Sequence, residues 1–118
     1  MLPNLNPDQL AACYEFLRSL EPFNRFDMPH ADEIEFTVIA DARVHGVYWL
    51  KAKNTHEIAL SRATNGHTST VLLFMAHEMI HLYQAINHTR NKNMHNAEFM
   101  RIAEEVCTIQ GYDFKLFV

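Results

Sequence analysis

His77, Glu78 and His81 fall within five residues, HEMIH, directly after the apolar run VLLFMA. On a helix, at 100° per residue, the two histidines lie only about 40° apart around the axis and about 6 Å apart along it. Both imidazoles can then reach one metal ion from a single face. Glu78 projects about 60° to the side of His81, near such an ion but badly placed to bind it. That position suits a carboxylate that deprotonates a metal-bound water and later passes the proton to a leaving amine. Only a rigid element holds three groups in this relation, so the chemistry requires the helix.

The helix that carries the motif should run from about Thr68 to Ile86, with Thr68 as its cap. Leu72, Met75, Ala76, Met79, Ile80, Tyr83 and Ile86 cover a broad arc away from His77. Apolar around most of its circumference, the helix is expected to be buried. Buried imidazoles and a buried carboxylate need partners, and a metal supplies one. Eight histidines in 118 residues make any single one a weak signal, but chance matches to a short motif rarely fall in the middle of the most apolar helix.

A catalytic zinc takes three protein ligands and keeps one position open. His88, Glu98, Glu104 and Glu105 are downstream candidates for the third ligand, as is His95. His88 is seven residues past His81 and could bind only after a sharp chain reversal. Glu104 points away from the apolar stripe of the last helix. His95 lies beyond a polar loop at the mouth of that helix, where a return to the metal is easy. His95 is favoured, with Glu98 next. Tyr48, Tyr83, His45 and His88 are conceivable oxyanion donors, and no spacing separates them.

Other segments supply the frame. NPDQLAACYEFLRSL reads as an N-terminal helix, with Asn6 as cap, Pro7 in the first turn and Gln9 completing a capping box. EPFNRFDMPHAD is a connector. From Glu33 the period becomes two: Ile34, Phe36, Val38 and Ala40 alternate with polar residues. VHGVYWLK reads as a second strand, with Gly46 as a bulge, and EIALS as a third, together suggesting an antiparallel meander. The edge near Val44–Leu50 or Glu57–Ser61 could pair with an extended peptide. The last helix begins near Asn96, buries Phe99, Ile102, Ala103 and Val106, and ends at Gly111. The tail YDFKLFV is a short strand or a packed terminus.

The length predicts a single domain over residues 1–118. No run of about 18 apolar residues is present, which argues against a membrane span, and MLPNLNPDQL shows no secretory signal. Cys13 and Cys107 fall on apolar helical positions and are expected as buried free thiols, consistent with a reducing cytoplasm. The net charge of −4 argues against binding nucleic acid by charge alone, and Arg90 and Lys92 read as a solvated loop.

HEMIH, together with MHNAEF at Met94–Phe99 and with FNRF, HGVYWL and HEIALS upstream, resembles the SprT-like metallopeptidases, the family of the Spartan proteases. The resemblance runs from about Phe23 to about Gly111. It implies an α+β, zincin-like domain in which His77, His81 and His95 bind one Zn2+ per chain and Glu78 is the general base. It also implies cleavage of peptide bonds in protein or peptide substrates, DNA-bound proteins among them. This chain has Asn96 where the family usually has Gly after the histidine, and it lacks the zinc ribbon common in the family. A non-catalytic zinc-containing module that binds nucleic acid or a protein partner is the alternative reading.

Overall fold

The computed structural model describes residues 5–118, so the start MLPN, read as free of a secretory signal, lies outside the described residues. The chain runs as α1 (Pro7–Arg18), β1 (Ile34–Ile39), β2 (Gly46–Ala52), β3 (Thr55–Ser61), α2 (Thr68–Ile86), α3 (Ala97–Gln110) and α4 (Phe114–Phe117). Short 3-10 turns at Phe23–Arg25 and Ala31–Glu33 punctuate the connector between α1 and β1.

Local sequence accounts for the ends of α1. The Asn6 side chain accepts from the Gln9 backbone, and the Gln9 side chain accepts from the Asn6 backbone, which closes a capping box. Leu10, Tyr14 and Leu17 are fully buried. The Tyr14 ring lies 5.5 Å from that of Phe36 on β1, and its hydroxyl donates to the Pro29 carbonyl at 2.7 Å. One side chain thus joins helix, connector and sheet.

The sheet is mixed, with strand order β1-β3-β2, and the expected antiparallel meander is corrected here. β2 and β3 form an antiparallel hairpin, whereas β1 runs parallel to β3. Asn54, at φ 61°, supplies the left-handed residue of the tight turn between β2 and β3. A parallel pair needs a long crossover, and residues 40–54, β2 included, provide it. Burial explains the order. Ile58, Ala59, Leu60 and Ser61 of β3 are all fully buried, which only a central strand achieves, while four of the seven residues of β2 are exposed at an edge. Glu57–Ser61 is therefore paired on both sides and offers no free edge. β1 ends at Ile39, so Ala40 lies outside the strand and is exposed.

The link from β1 to β2 is pinned to the end of β3. The Ser61 hydroxyl donates to the Asp41 carbonyl at 2.7 Å, and the Ser61 amide donates to the His45 carbonyl at 2.9 Å. The Asn65 side chain, buried at 3% exposure, donates to the same His45 carbonyl at 3.0 Å. These bonds fix where Gly46 enters β2. Gly46 is not a bulge: the register irregularity falls between Leu50 and Ala52. A glycine is needed because a Cβ there would stand 2.6 Å from Leu60 Cδ2, 3.1 Å from the Ala59 carbonyl oxygen and 3.3 Å from Glu78 Cγ.

α2 crosses the sheet as the most buried helix, with Val71, Met75, Ala76, Met79, Ile80 and Leu82 among its core residues. It starts at Thr68 with His67 in the cap position and no side-chain capping bond, so Thr68 is not the cap. α3 is capped by the Asn96 side chain, which accepts from the Phe99 amide at 3.0 Å, and is closed by Gly111 at φ 83°. The tail forms α4 rather than a strand; Asp113 caps it and Phe117 is buried at 1% exposure. Cys13 is half-buried, Cys107 is buried, and both are free. No helix among the described residues is long and apolar enough to cross a membrane.

Gly46→Ala should destabilise the protein by about 1–3 kcal/mol, the usual range for overpacking. Urea unfolding would measure it, and an unchanged midpoint would mean that β2 can move off Leu60 without cost.

Candidate metal centre

α2 places His77 and His81 one turn apart on one face, and the loop before α3 returns His95 to them. One ligand nitrogen from each of the three lies within 4.8 Å of the others. The ring centroids of His77 are 5.0 Å from those of both His81 and His95, and His81 and His95 are 5.3 Å apart. Phe99, fully buried in the first turn of α3, forms the floor of the cluster. Its ring stacks on His95 at 4.3 Å with a 7° interplanar angle and on His81 at 4.7 Å. The periodicity of α3 marks Phe99 as a core residue, but it carries no sign of this second role.

The hydrogen bonds assign a tautomer. His77 Nδ1 lies 2.6 Å from the Phe117 carbonyl oxygen, which can only accept, so Nδ1 carries the proton. In neutral His77 the lone pair is then on Nε2, and Nε2 faces His81 Nε2 at 3.3 Å. Four-coordinate zinc with bonds of about 2.0–2.1 Å places its nitrogen ligands about 3.4 Å apart. The pair on α2 already has that spacing. His81 Nδ1 is buried without a hydrogen-bond partner, which is consistent with holding this ring by packing and by what its Nε2 binds.

Burial sets the charge state. Loss of solvent pulls the His77 pKa down to about 4, with opposing support from the Phe117 carbonyl and further lowering by His95 and His45. His81 falls to about 3, first by desolvation and then through His77, His95 and Arg90. His95, half-buried, is lowered by desolvation as well. All three are therefore neutral donors at physiological pH, the form that binds metal ions. Glu78 is 4% exposed, and desolvation raises its carboxyl to about 8. Its Oε2 lies 3.9 Å from His77 Nε2.

A second set of contacts holds the His95 loop. Gln84, fully buried on α2, donates through Nε2 to Asn96 Oδ1 and to Glu98 Oε1, each at 2.9 Å. Asn96 Nδ2 donates to the Thr89 carbonyl at 3.1 Å. Asn96 thus caps α3, joins the two ends of the loop to each other and, through Gln84, ties them to α2. Glu98 is occupied by this network, and hydrogen bonds from Thr89 and Gln84 hold its carboxyl below the usual range. Glu105 pairs with Arg25, and Glu104 is exposed. His88 sits exposed at φ 57°, where the chain reverses after α2. None of these joins the three-histidine group.

Three of the four oxyanion candidates have partners outside the three-histidine group. Tyr83 stacks on Phe26 at 4.4 Å, and the Tyr48 hydroxyl is 2.7 Å from His56 Nδ1 with the Arg90 guanidinium 5.6 Å from its ring centre. His45 stacks on Phe74 at 3.9 Å. Among the described residues, none of the four hydrogen-bonds to the three-histidine group.

Phe117→Ala should loosen α4 and with it the carbonyl that orients His77, lowering affinity for a divalent ion about tenfold or more, as loss of an outer-sphere partner does. Phe117→Leu should retain most of it. Competition against a chromophoric chelator would read both, and equal affinity in wild type and Phe117→Ala would show that α4 does not orient the ligand.

The sequence model of the SprT-like family matches residues 18–116. Comparisons with curated proteins and with solved structures returned no match.

Proposed function

The chain belongs to the SprT-like family, and from that premise we propose that it is a zinc-dependent metallopeptidase with a zincin-like active-site helix. The observation that carries this reading is the convergence of His77, His81 and His95 within 4.8 Å, with the Glu78 carboxylate beside them. Three neutral imidazoles with one position left open suit zinc, one ion per chain. Zinc, when bound, supplies a Lewis acid that polarises a carbonyl and acidifies water.

The chain's own residues would do the rest. His77, fixed through Nδ1 by the Phe117 carbonyl, and His81, braced on Phe99, present their Nε2 atoms to one point. Asn96 and Gln84 hold the loop that delivers His95. Glu78, ionised once a cation beside it offsets the desolvation that raises its carboxyl pKa, would take the proton of the attacking water and give it to the amine nitrogen that leaves. The missing side chain of Gly46 leaves room for Glu78, since a Cβ there would stand 3.3 Å from Glu78 Cγ, and the buried position of Glu78 keeps bulk water from competing.

The proposed substrates are peptides and proteins, DNA-associated proteins among them. β2 is an edge strand with exposed Trp49 and Leu50. An extended peptide can pair with its backbone whatever the peptide's sequence. Glu78→Gln should retain zinc and lose peptidase activity by about 10²–10⁴-fold, the range for loss of a general base. Release of dye from labelled casein, with zinc quantified in the same samples, would measure it. Equal cleavage by both proteins would remove Glu78 from the reaction.

A further inference from the structure

The face of α2 that carries the histidines continues past His77 toward the start of the helix. At 100° per residue, Leu73 lies about 40° and Thr70 about 20° around the axis from His77. Over these residues runs a groove of about 730 Å³, walled on α2 by Leu72, Leu73 and Phe74 and on the opposite side by Tyr112 and Leu116. Leu116 leaves 65% of its surface exposed, although the adjacent Phe117 is buried. His45 also lines the groove, with its ring stacked on Phe74, and a Cβ on the next residue, Gly46, would stand 3.3 Å from Glu78 Cγ. The groove therefore reaches the residue next to the one that borders Glu78.

We propose that this groove is the subsite for a large apolar side chain of the peptide substrate, next to the bond that is cleaved. The proposal rests on the peptidase reading and names the substrate class for that site. Its volume falls within the range of sites that enclose a small ligand or side chain, about 300–1,000 Å³, and its walls are mainly apolar, as such sites are. Its polar groups come from His45, Ser69 and Thr70 on one side and from Gln110, Asp113 and Lys115 on the other. An extended peptide laid along β2 passes Gly46, next to His45 in the groove's lining, and its side chains point alternately to opposite sides. One side chain can enter while the peptide backbone stays at Glu78.

The test separates binding from turnover. Zinc-loaded full-length Glu78→Gln protein is titrated with fluorescein-labelled octapeptides of alanine and serine that carry a central Phe, Ala or Asp, and anisotropy is read. The Phe peptide should bind about tenfold more tightly than the Ala peptide, the discrimination expected of an apolar pocket, with Asp weakest. Leu116→Glu, placed in the same background at an exposed position, should abolish that preference while zinc content and thermal midpoint stay unchanged. Equal binding of the Phe and Ala peptides would overturn the proposal, as would a preference that survives Leu116→Glu. Concentration-dependent self-association lost in Leu116→Glu, without any peptide preference, would overturn it by making a second copy the occupant. If the preference is present but wild type cleaves nothing, the groove stands as a peptide site and the peptidase reading fails.

Discussion

Two imidazoles and a carboxylate sit on the most buried helix of the protein, and desolvating such groups costs free energy unless their polar atoms find partners. Much of the surrounding structure answers that constraint. His77 is satisfied on one side by the Phe117 carbonyl, which explains why a four-residue helix with a buried phenylalanine closes the chain against α2. Gln84, buried one turn further on, is answered by Asn96 and Glu98 from the start of α3. The inner nitrogens of His77 and His81 are left facing one another, and a divalent ion would satisfy both, together with His95. Removing the protons from these rings is the work of burial, and the same burial leaves them ready to coordinate.

Fixing Glu78 depends on the sheet as much as on the helix. Because β3 is central and β2 lies at the edge, the link from β1 must pass the end of β3 before β2 begins, and Ser61 and Asn65 hold it there. That crossing brings Gly46 against Glu78 and His45 against Phe74. A meander in the expected order would have placed β2, not β3, in the middle of the sheet. The mixed topology is thus part of how the site is assembled, and it also leaves one free strand edge beside the carboxylate.

The parts of the molecule legible in the sequence are those with local causes. Asn6, Pro7 and Gln9 mark the start of α1, Asn96 and Gly111 bound α3, and the apolar run through HEMIH sets the extent of α2 almost to the residue. The spacing of His77, Glu78 and His81 places the two histidines on one face and favours His95 over Glu98 as their companion, and the three histidines do come together; the resemblance from about Phe23 to Gly111 falls inside the matched residues 18–116. What escaped has non-local causes. Strand order depends on which strand is buried on both faces, which alternation in β1 alone does not reveal. The Phe117 carbonyl belongs to the backbone and has no residue signature. Gly46 had two meanings in a strand, a bulge or a close approach, and only the positions of Leu60 and Glu78 decide between them.

The most direct test of the three-histidine centre is the metal content of the purified protein after dialysis, measured beside His95→Ala. The expected result is about one zinc per wild-type chain, as for a site with three protein ligands, and clearly less in the variant. Metal absent from both proteins, even after zinc is supplied, would contradict the assignment and take the peptidase reading with it.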